Sequence, residues 1–339
     1  MIEERVTSLH GAGGEVMGRL LAERVLPRFA HRSAGRIGLS ALDDGGTVAL
    51  PRGAELVVTT DSHVVKPVFF PGGDIGRLAA AGTINDLAVM GARPLALTFA
   101  AIIEEGFPIA DLERILDSFA TVLDEVDSAV ACGDTKVMPP GEIDGIALNT
   151  TGLGAADRAI SDAEARPGDR ILVTGTIGDH GMALLAAREE FHLETTIESD
   201  VAAIWPMIET ALRTGGVHAM KDPTRGGLAA ALNEMARKSG FSLEIRESTI
   251  PIREDVGGLA EILGISPLEV ANEGKAIVVV DPSHADAILG ALKCHPLGRN
   301  AAIVGTVTEE YPGRVVLATE VGGRRFLDMP LGDPVPRIC

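Results

Sequence analysis

The chain has 339 residues, 46% of them hydrophobic and 23% charged, which fits a globular protein with a proper core and enough length for two domains. Its net charge of −18 and its 3% of aromatic residues argue against a general binder of nucleic acid or anionic membrane and against base-stacking platforms. No apolar run approaches 18 residues and the start, Met1-Ile2-Glu3-Glu4-Arg5, is polar, so neither a membrane span nor a signal peptide is expected.

In chain order, a glycine turn at His10-Gly11-Ala12-Gly13-Gly14 precedes a helical pattern with Val16, Met17, Leu20, Leu21 and Val25 on one face. Residues 54–60 read as a buried strand ending at Asp61. A helix with a largely apolar face is expected over 74–90, a strand over 94–103, and an amphipathic helix over 108–125 beginning at Pro108. Strands near 128–132 and 143–154 complete a first unit. The polar stretch Ala155–Asp169, with Pro167-Gly168 near its end, is the candidate linker. A second unit opens with a strand over Arg170–Thr174. Helices near 179–191, 199–213 and 226–239 follow, then strands near 241–246 and 275–281 around a short helix near 257–264. A helix near 283–293 and a strand near 301–308 close it. Strands and helices mix without a regular βαβ rhythm, so the expected class is α+β.

Several segments carry residues suited to chemistry. Thr59-Thr60-Asp61-Ser62 puts a carboxylate at a strand end, where it either meets a ligand or caps the next turn. Asn85-Asp86 sit inside the apolar helix 74–90, which begins at Asp74. A carboxylate there is costly unless it is paired or metal-bound, so the pair reads either as ligands or as a solvent-facing interruption. Cys132-Gly133-Asp134-Thr135-Lys136 reads as a Gly-Asp turn after a strand, with Lys136 as a point charge for phosphate and Cys132 as a small buried residue. It lacks the spacing of a Walker A loop. Asp222-Pro223-Thr224-Arg225-Gly226-Gly227 precedes a helix and combines a carboxylate with an anion-binding helix start, or else forms a simple cap. Ala271-Asn272-Glu273-Gly274-Lys275 is a polar cluster before a strand. Four of the eight histidines, His10, His63, His180 and His218, are scattered and read as structural. Asp61, Asp86 and Asp222, with no soft ligands nearby, point to a hard cation such as Mg²⁺ bridging a nucleotide phosphate.

The end of the chain, Leu331-Gly332-Asp333-Pro334-Val335-Pro336-Arg337-Ile338-Cys339, holds two prolines and a glycine that disfavour regular structure. Three cysteines in 339 residues would place one at the last position by chance about one time in a hundred. Cys132, Cys294 and Cys339 show no CxxC spacing, so neither a zinc site nor a disulfide framework is expected. A reducing, cytoplasmic compartment would keep Cys339 a free thiol.

The run Thr59-Thr60-Asp61-Ser62, Phe69-Phe70-Pro71-Gly72-Gly73-Asp74-Ile75-Gly76, Asn85-Asp86-Leu87-Ala88 and Gly91-Ala92-Arg93-Pro94 resembles the ATP-binding half of the aminoimidazole ribonucleotide synthetase (PurM-like) superfamily. Four further features resemble the HypE family of hydrogenase maturation proteins within it. They are Gly133-Asp134-Thr135-Lys136, Gly178-Asp179-His180-Gly181, Asp222 to Gly227, and the terminal Pro336-Arg337-Ile338-Cys339. The resemblance implies three parts: an N-terminal ATP-binding and dimerisation domain over 1–155, a C-terminal α/β domain over 156–318, and a mobile tail over 319–339. It implies a homodimer whose N-terminal domains pair through a shared β-barrel. ATP and Mg²⁺ would be held by Asp61, Asp74, Asp86, Gly133, Asp134, Thr135, Asn149, Asp222, Arg225, Gly226 and Gly227, with Asp61, Asp86 and Asp222 on the metal. It further implies that Cys339 receives a carbamoyl group from the carbamoyltransferase HypF, that the chain dehydrates it to a thiocyanate with ATP, and that the cyanide passes to iron on a HypC–HypD complex. Lys136 would stabilise the transferring phosphoryl group; Glu273 is the first candidate base and His180 the second. The alternatives are a sister kinase of the thiamine monophosphate kinase or selenophosphate synthetase type, which needs no terminal cysteine, and a non-catalytic carrier of the carbamoyl group.

Overall fold

The structure is a computed structural model and describes residues 14–20, 22–23, 35–49, 54–188, 195–332 and 334–335. The first half comprises α1 (Gly14–Leu20), β1 (Gly46–Ala49), β2 (Glu55–His63), the short strands β3 (Phe69–Phe70) and β4 (Gly73–Asp74), α2 (Ile75–Val89), β5 (Arg93–Glu104), α3 (Ile109–Glu125), β6 (Ala129–Met138) and β7 (Ile146–Ala156). Five of these strands form a sheet in the order β1-β2-β7-β5-β6, antiparallel except for the β5–β6 pair. β7 alternates buried and half-buried residues along its whole length, as a strand with one covered face must. α2 and α3 supply the cover. α2 is apolar on nearly every side and starts at Asp74, whose side chain accepts hydrogen bonds from the amides of Gly76 and Arg77. It lies tight against β7 because position 152 is glycine: a Cβ there would come within 2.8 Å of Thr83.

The second half comprises β8 (Arg170–Val173), α4 (Asp179–Ala187), α5 (Trp205–Thr214), β9 (Val217–Lys221), α6 (Gly227–Ser239), β10 (Ser242–Arg246), α7 (Glu254–Leu263), β11 (Ile277–Val280), α8 (Ala285–Cys294), β12 (Ala302–Thr308), β13 (Val315–Ala318) and β14 (Arg324–Phe326). Its seven-stranded sheet runs β14-β13-β10-β12-β8-β11-β9. Both faces are covered. Ile171, Val173, Ile277 and Val279 pack with Leu228, Leu232 and Met235 of α6. Leu172, Val278 and Val280 point the other way, into a core shared with α4, α5 and α8. That second core also contains Leu78, Ile84 and Val89 of α2. One continuous apolar layer therefore joins the two halves and fixes the cleft between them.

The α+β class and most elements appear where the sequence places them. β2 runs two residues beyond Asp61 to His63. The helix expected over 199–213 starts only at Trp205, with Pro206 in its first turn, a position proline tolerates because no amide is needed there. The Gly133-Asp134 turn is absent: both residues lie inside β6, exposed along nearly its whole length. Cys132 is accordingly exposed, not buried, because β6 is an edge strand with no layer over it. β1, β9, β13 and β14 are strands that the sequence pattern did not reveal. β14 falls within the segment expected as a tail and pairs with β13, and Leu327 and Val335 beyond it are buried. Residues 336–339, with Arg337 and Cys339, lie outside the described residues, as does His10. No helix among the described residues is long and apolar enough to cross a membrane.

Candidate active site

A cavity of about 650 Å³ opens between the two halves, within the size range of small-molecule sites. Four segments contribute to its lining. On β2, Thr59, Asp61 and His63 alternate onto one face, as a strand requires. On α2, Asp86 and Gly82, one helical turn apart, face the same space. From the second half come Asp222, Thr224 and Arg225 in the turn before α6, and Glu273 before β11.

Carboxylate oxygens of Asp44, Asp86 and Asp222 lie within 4.8 Å of one another. Thr59 Oγ1 donates to Asp86 Oδ2 at 2.6 Å. Burial, and then the charges of Asp61, Asp222 and Asp44, push the Asp86 carboxyl well above the usual carboxylate range. Asp222 is pushed up to about 8, by burial first and the neighbouring Asp44 next. Carboxylates crowded in this way repel one another unless a proton or a cation sits among them. All three are hard oxygen donors with no thiol in the group, so the set fits Mg²⁺.

Deeper in the cavity, Glu273 and His63 lie side by side beneath Gly82. A Cβ at position 82 would stand 3.1 Å from His63 Cε1 and 3.7 Å from Glu273 Oε2. Each of the two residues is only 3% exposed. Neither ring nitrogen of His63 nor Oε1 of Glu273 has a hydrogen-bond partner among the described residues. Burial lowers the His63 pKa to about 4, so its ring is neutral. Burial, and then Asp222, Asp200 and Asp61, raise Glu273 well above its ordinary value. Buried polar atoms without partners are costly and mark places where a ligand supplies them.

Of the residues expected at the site, Asp61, Asp86, Asp222, Arg225 and Glu273 line the cavity. Gly226 and Gly227 form the left-handed turn that starts α6 directly after Arg225. Asn149 stands behind Asp61: its Nδ2 donates to the Asp61 carbonyl at 2.8 Å and to Ser62 Oγ at 2.9 Å. Asp74 is occupied elsewhere, capping α2 through Oδ1 and accepting from Ser118 Oγ through Oδ2 at 2.6 Å. His180 is fully buried in α4, sharing a 2.7 Å hydrogen bond with Ser199 and meeting Phe70 edge-on. Gly133, Asp134, Thr135 and Lys136 lie on β6, three strands away from β2, roughly 14 Å at the spacing of a sheet.

Among the cavity residues not found by reading the sequence are Asp44 and His63. Asp44 sits in the run Asp43-Asp44-Gly45-Gly46, which looks like an ordinary turn. His63 looked like an isolated histidine; its signal was the spacing Thr59-x-Asp61-x-His63 on one strand face. Asn85, next to Asp86, faces the other way. Its Nδ2 donates to the carbonyls of Ala202 and Glu273, both at 3.0 Å, and its Oδ1 accepts from the Ile204 amide at 2.9 Å. Asn85 is thus a clamp that holds the Glu273 backbone.

Known proteins share this fold. Residues 42–156 match the family model for the AIR synthase related protein, N-terminal domain, and residues 166–318 the one for its C-terminal domain. The chain is 45% identical to the carbamoyl dehydratase HypE of Rhizobium leguminosarum bv. viciae, over 99% of this chain and 95% of that one. Among solved structures, HypE in a HypE–HypF complex superposes with a TM-score of 0.85 at 42% identity, covering 91% of this chain and 99% of the other. HypE in complex with ATP gives 0.81 at 39% identity, covering 97% and 98%. Thiamine monophosphate kinase from Aquifex aeolicus shares the fold at a TM-score of 0.62, but only 19% of the sequence, covering 83% and 92%.

Proposed function

The chain belongs to the HypE carbamoyl dehydratase family of AIR synthase-related proteins, and we propose that its cavity dehydrates a carbamoyl group carried on Cys339. The observation that carries this reading is the pairing of two kinds of group in one cavity. A carboxylate cluster suited to a metal–nucleotide complex lies next to buried Glu273 and His63, whose Oε1 and ring nitrogens have no hydrogen-bond partner among the described residues. A kinase needs the first; removal of protons from nitrogen needs the second.

The chemistry balances as follows. The carbamoyl oxygen of Cys339–S–C(=O)–NH₂ attacks the γ-phosphorus of ATP, and ADP leaves. Oxygen bound to phosphorus is now a good leaving group where hydroxide is a poor one. Loss of the two N–H protons, with cleavage of the C–O bond, gives Cys339–S–C≡N and inorganic phosphate. One proton stays with the phosphate and one is released. Glu273 in its ionised form accepts a proton from nitrogen, since a carboxylate in a buried setting is a stronger base than one in water. Neutral His63 offers its ring nitrogens to orient the amide. Asp44, Asp86 and Asp222 would hold Mg²⁺, which supplies charge stabilisation for the phosphates. Asp61 lines the same cavity and adds to its negative field, while Arg225 and the amides at the α6 start favour phosphate. Lys136 reaches this cavity only if a second copy of the chain brings its own β6 there. Its role is therefore tied to a homodimer, paired through the open face of the first sheet. The support for that pairing is β6 itself, exposed at both Val130 and Val137.

HypF would supply the carbamoyl group and a HypC–HypD complex would receive the cyanide for hydrogenase iron, in a reducing cytoplasm. The test is sequential. The chain is carbamoylated with HypF and carbamoyl phosphate, freed of nucleotide, and the Cys339 peptide is weighed before and after ATP is added back. The expected result is an adduct stable without ATP that loses the mass of one water with it. An adduct that persists unchanged in ATP would make the chain a carrier only. Absence of any adduct on Cys339 would remove the reading altogether.

A further inference from the structure

Beside the carboxylate cluster lies a lysine that the proposed chemistry does not use. Lys221 ends β9, one residue before Asp222, and is 6% exposed. Its Nζ lies 2.6 Å from Asp44 Oδ1, 3.3 Å from Glu234 Oε2 and 3.4 Å from Asp162 Oδ2. Nζ donates a hydrogen bond to Asp44 and stands within ion-pair distance of the other two carboxylates, so Lys221 is engaged as a counter-ion among three negative groups. Lys238 of α6 repeats the pattern next door, reaching Asp43 at 3.0 Å and the same Asp162 at 2.8 Å. Together the two lysines tie the segment carrying Asp43 and Asp44 to the second half of the molecule by charge.

We propose that Lys221 is a built-in counter-cation that shares Asp44 with the divalent cation and so limits how tightly that cation is held. The inference rests on the metal–nucleotide reading of the cavity. Asp44 belongs both to the cluster suited to the metal and to the ion pairs of Lys221. A divalent ion entering the cluster meets a fixed positive charge bonded to one of its own ligands. Two like charges so close, in a buried setting, repel strongly. The cluster alone then holds the cation weakly, and phosphate oxygens are needed to complete its hold. Cation and nucleotide arrive together, and the cation is released with the products.

The experiment measures Mn²⁺ binding by the electron paramagnetic resonance of the free ion, with and without a non-hydrolysable ATP analogue. The full chain is compared with Lys221→Met and Lys221→Arg. Without nucleotide, Lys221→Met should bind Mn²⁺ at least about tenfold more tightly, and Lys221→Arg should stay within about twofold of the unaltered chain, because it keeps the charge. Removal of the lysine leaves carboxylates unpaired and threatens folding. The double variant Lys221→Met/Asp162→Asn removes one of them and should show the same tightening. Unchanged or weaker Mn²⁺ binding in the folded variants overturns the proposal, and so does a loss of nucleotide affinity alone, which would make Lys221 a phosphate ligand. If the unaltered chain binds no Mn²⁺ even with the analogue, the metal reading of the cavity fails instead.

Discussion

Asp86→Asn tests the carboxylate cluster most directly, because it should stabilise the protein while disabling the site. Asp86 shares the cluster with Asp44 and Asp222, all within 4.8 Å. At an effective dielectric near 20, each fully charged pair at that distance costs about 3 kcal/mol. Part of this is already relieved, since burial and like charges push the carboxyls of Asp86 and Asp222 upward, toward proton uptake. The remaining gain from replacing Asp86 is about 1 to 3 kcal/mol. Asparagine keeps the Thr59 hydrogen bond, because its side-chain oxygen accepts as the carboxylate did. In EDTA the variant should therefore melt higher, by about 1 to 4 °C for a chain of this size. Mg²⁺ at a hundred times its dissociation constant stabilises the unaltered protein by about 2.7 kcal/mol, and most of that gain is lost in the variant. The order of melting should narrow or reverse on adding Mg²⁺. The assay is the fluorescence of the single tryptophan, Trp205, which is buried in α5. A variant that melts lower in EDTA, or that gains as much from Mg²⁺ as the parent, would refute the cluster as a metal site. The same variant should still accept a carbamoyl group on Cys339 and fail to lose water from it.

Gly82→Ala places a methyl group over His63 and Glu273; alanine's helix preference of about 1 kcal/mol offsets the crowding, so melting should stay close to that of the parent. The rate of thiocyanate formation should nevertheless fall at least about tenfold, and a normal rate would remove the recess from the reaction. Asp222 has a folded pKa near 8 against an ordinary value of 3.8, so the stability linked to its proton is present below about pH 4 and is lost as pH rises to 8. Asp222→Asn has no such loss, and in EDTA its stability advantage in urea should widen by at least about 1 kcal/mol between pH 5 and pH 8; a constant difference contradicts the assigned pKa. Asn85→Leu removes three buried hydrogen bonds at about 1 kcal/mol each, and a melting temperature unchanged by it would show that the clamp on Glu273 is dispensable.

Much of this protein is legible along the chain. The apolar helix α2, the strand that carries Asp61 and the Asp222 turn all follow from local pattern, because hydrophobic period, capping residues and turn glycines act over a few positions. The polar pair Asn85-Asp86 announces itself by being out of place in an apolar helix. Which of the two meets a ligand does not follow from that. The packing of α2 decides it, since adjacent helical residues point about 100° apart; Asn85 meets the second half and Asp86 meets the cavity. Asp44 enters the cluster only when the segment before β1 folds over residues 42 and 178 positions away, Asp86 and Asp222. Its own neighbours, Asp43 and two glycines, describe a turn and nothing else. The same holds for His63, whose lack of hydrogen-bond partners among the described residues is a property of the buried space around it, and for Lys221, whose three carboxylates come from three separate segments. Local pattern determined most of the elements and the candidates Asp61, Asp86 and Asp222; only the tertiary structure decided which charges share a site, because electrostatic partnership depends on distance in space and burial, and neither is written in the spacing of residues.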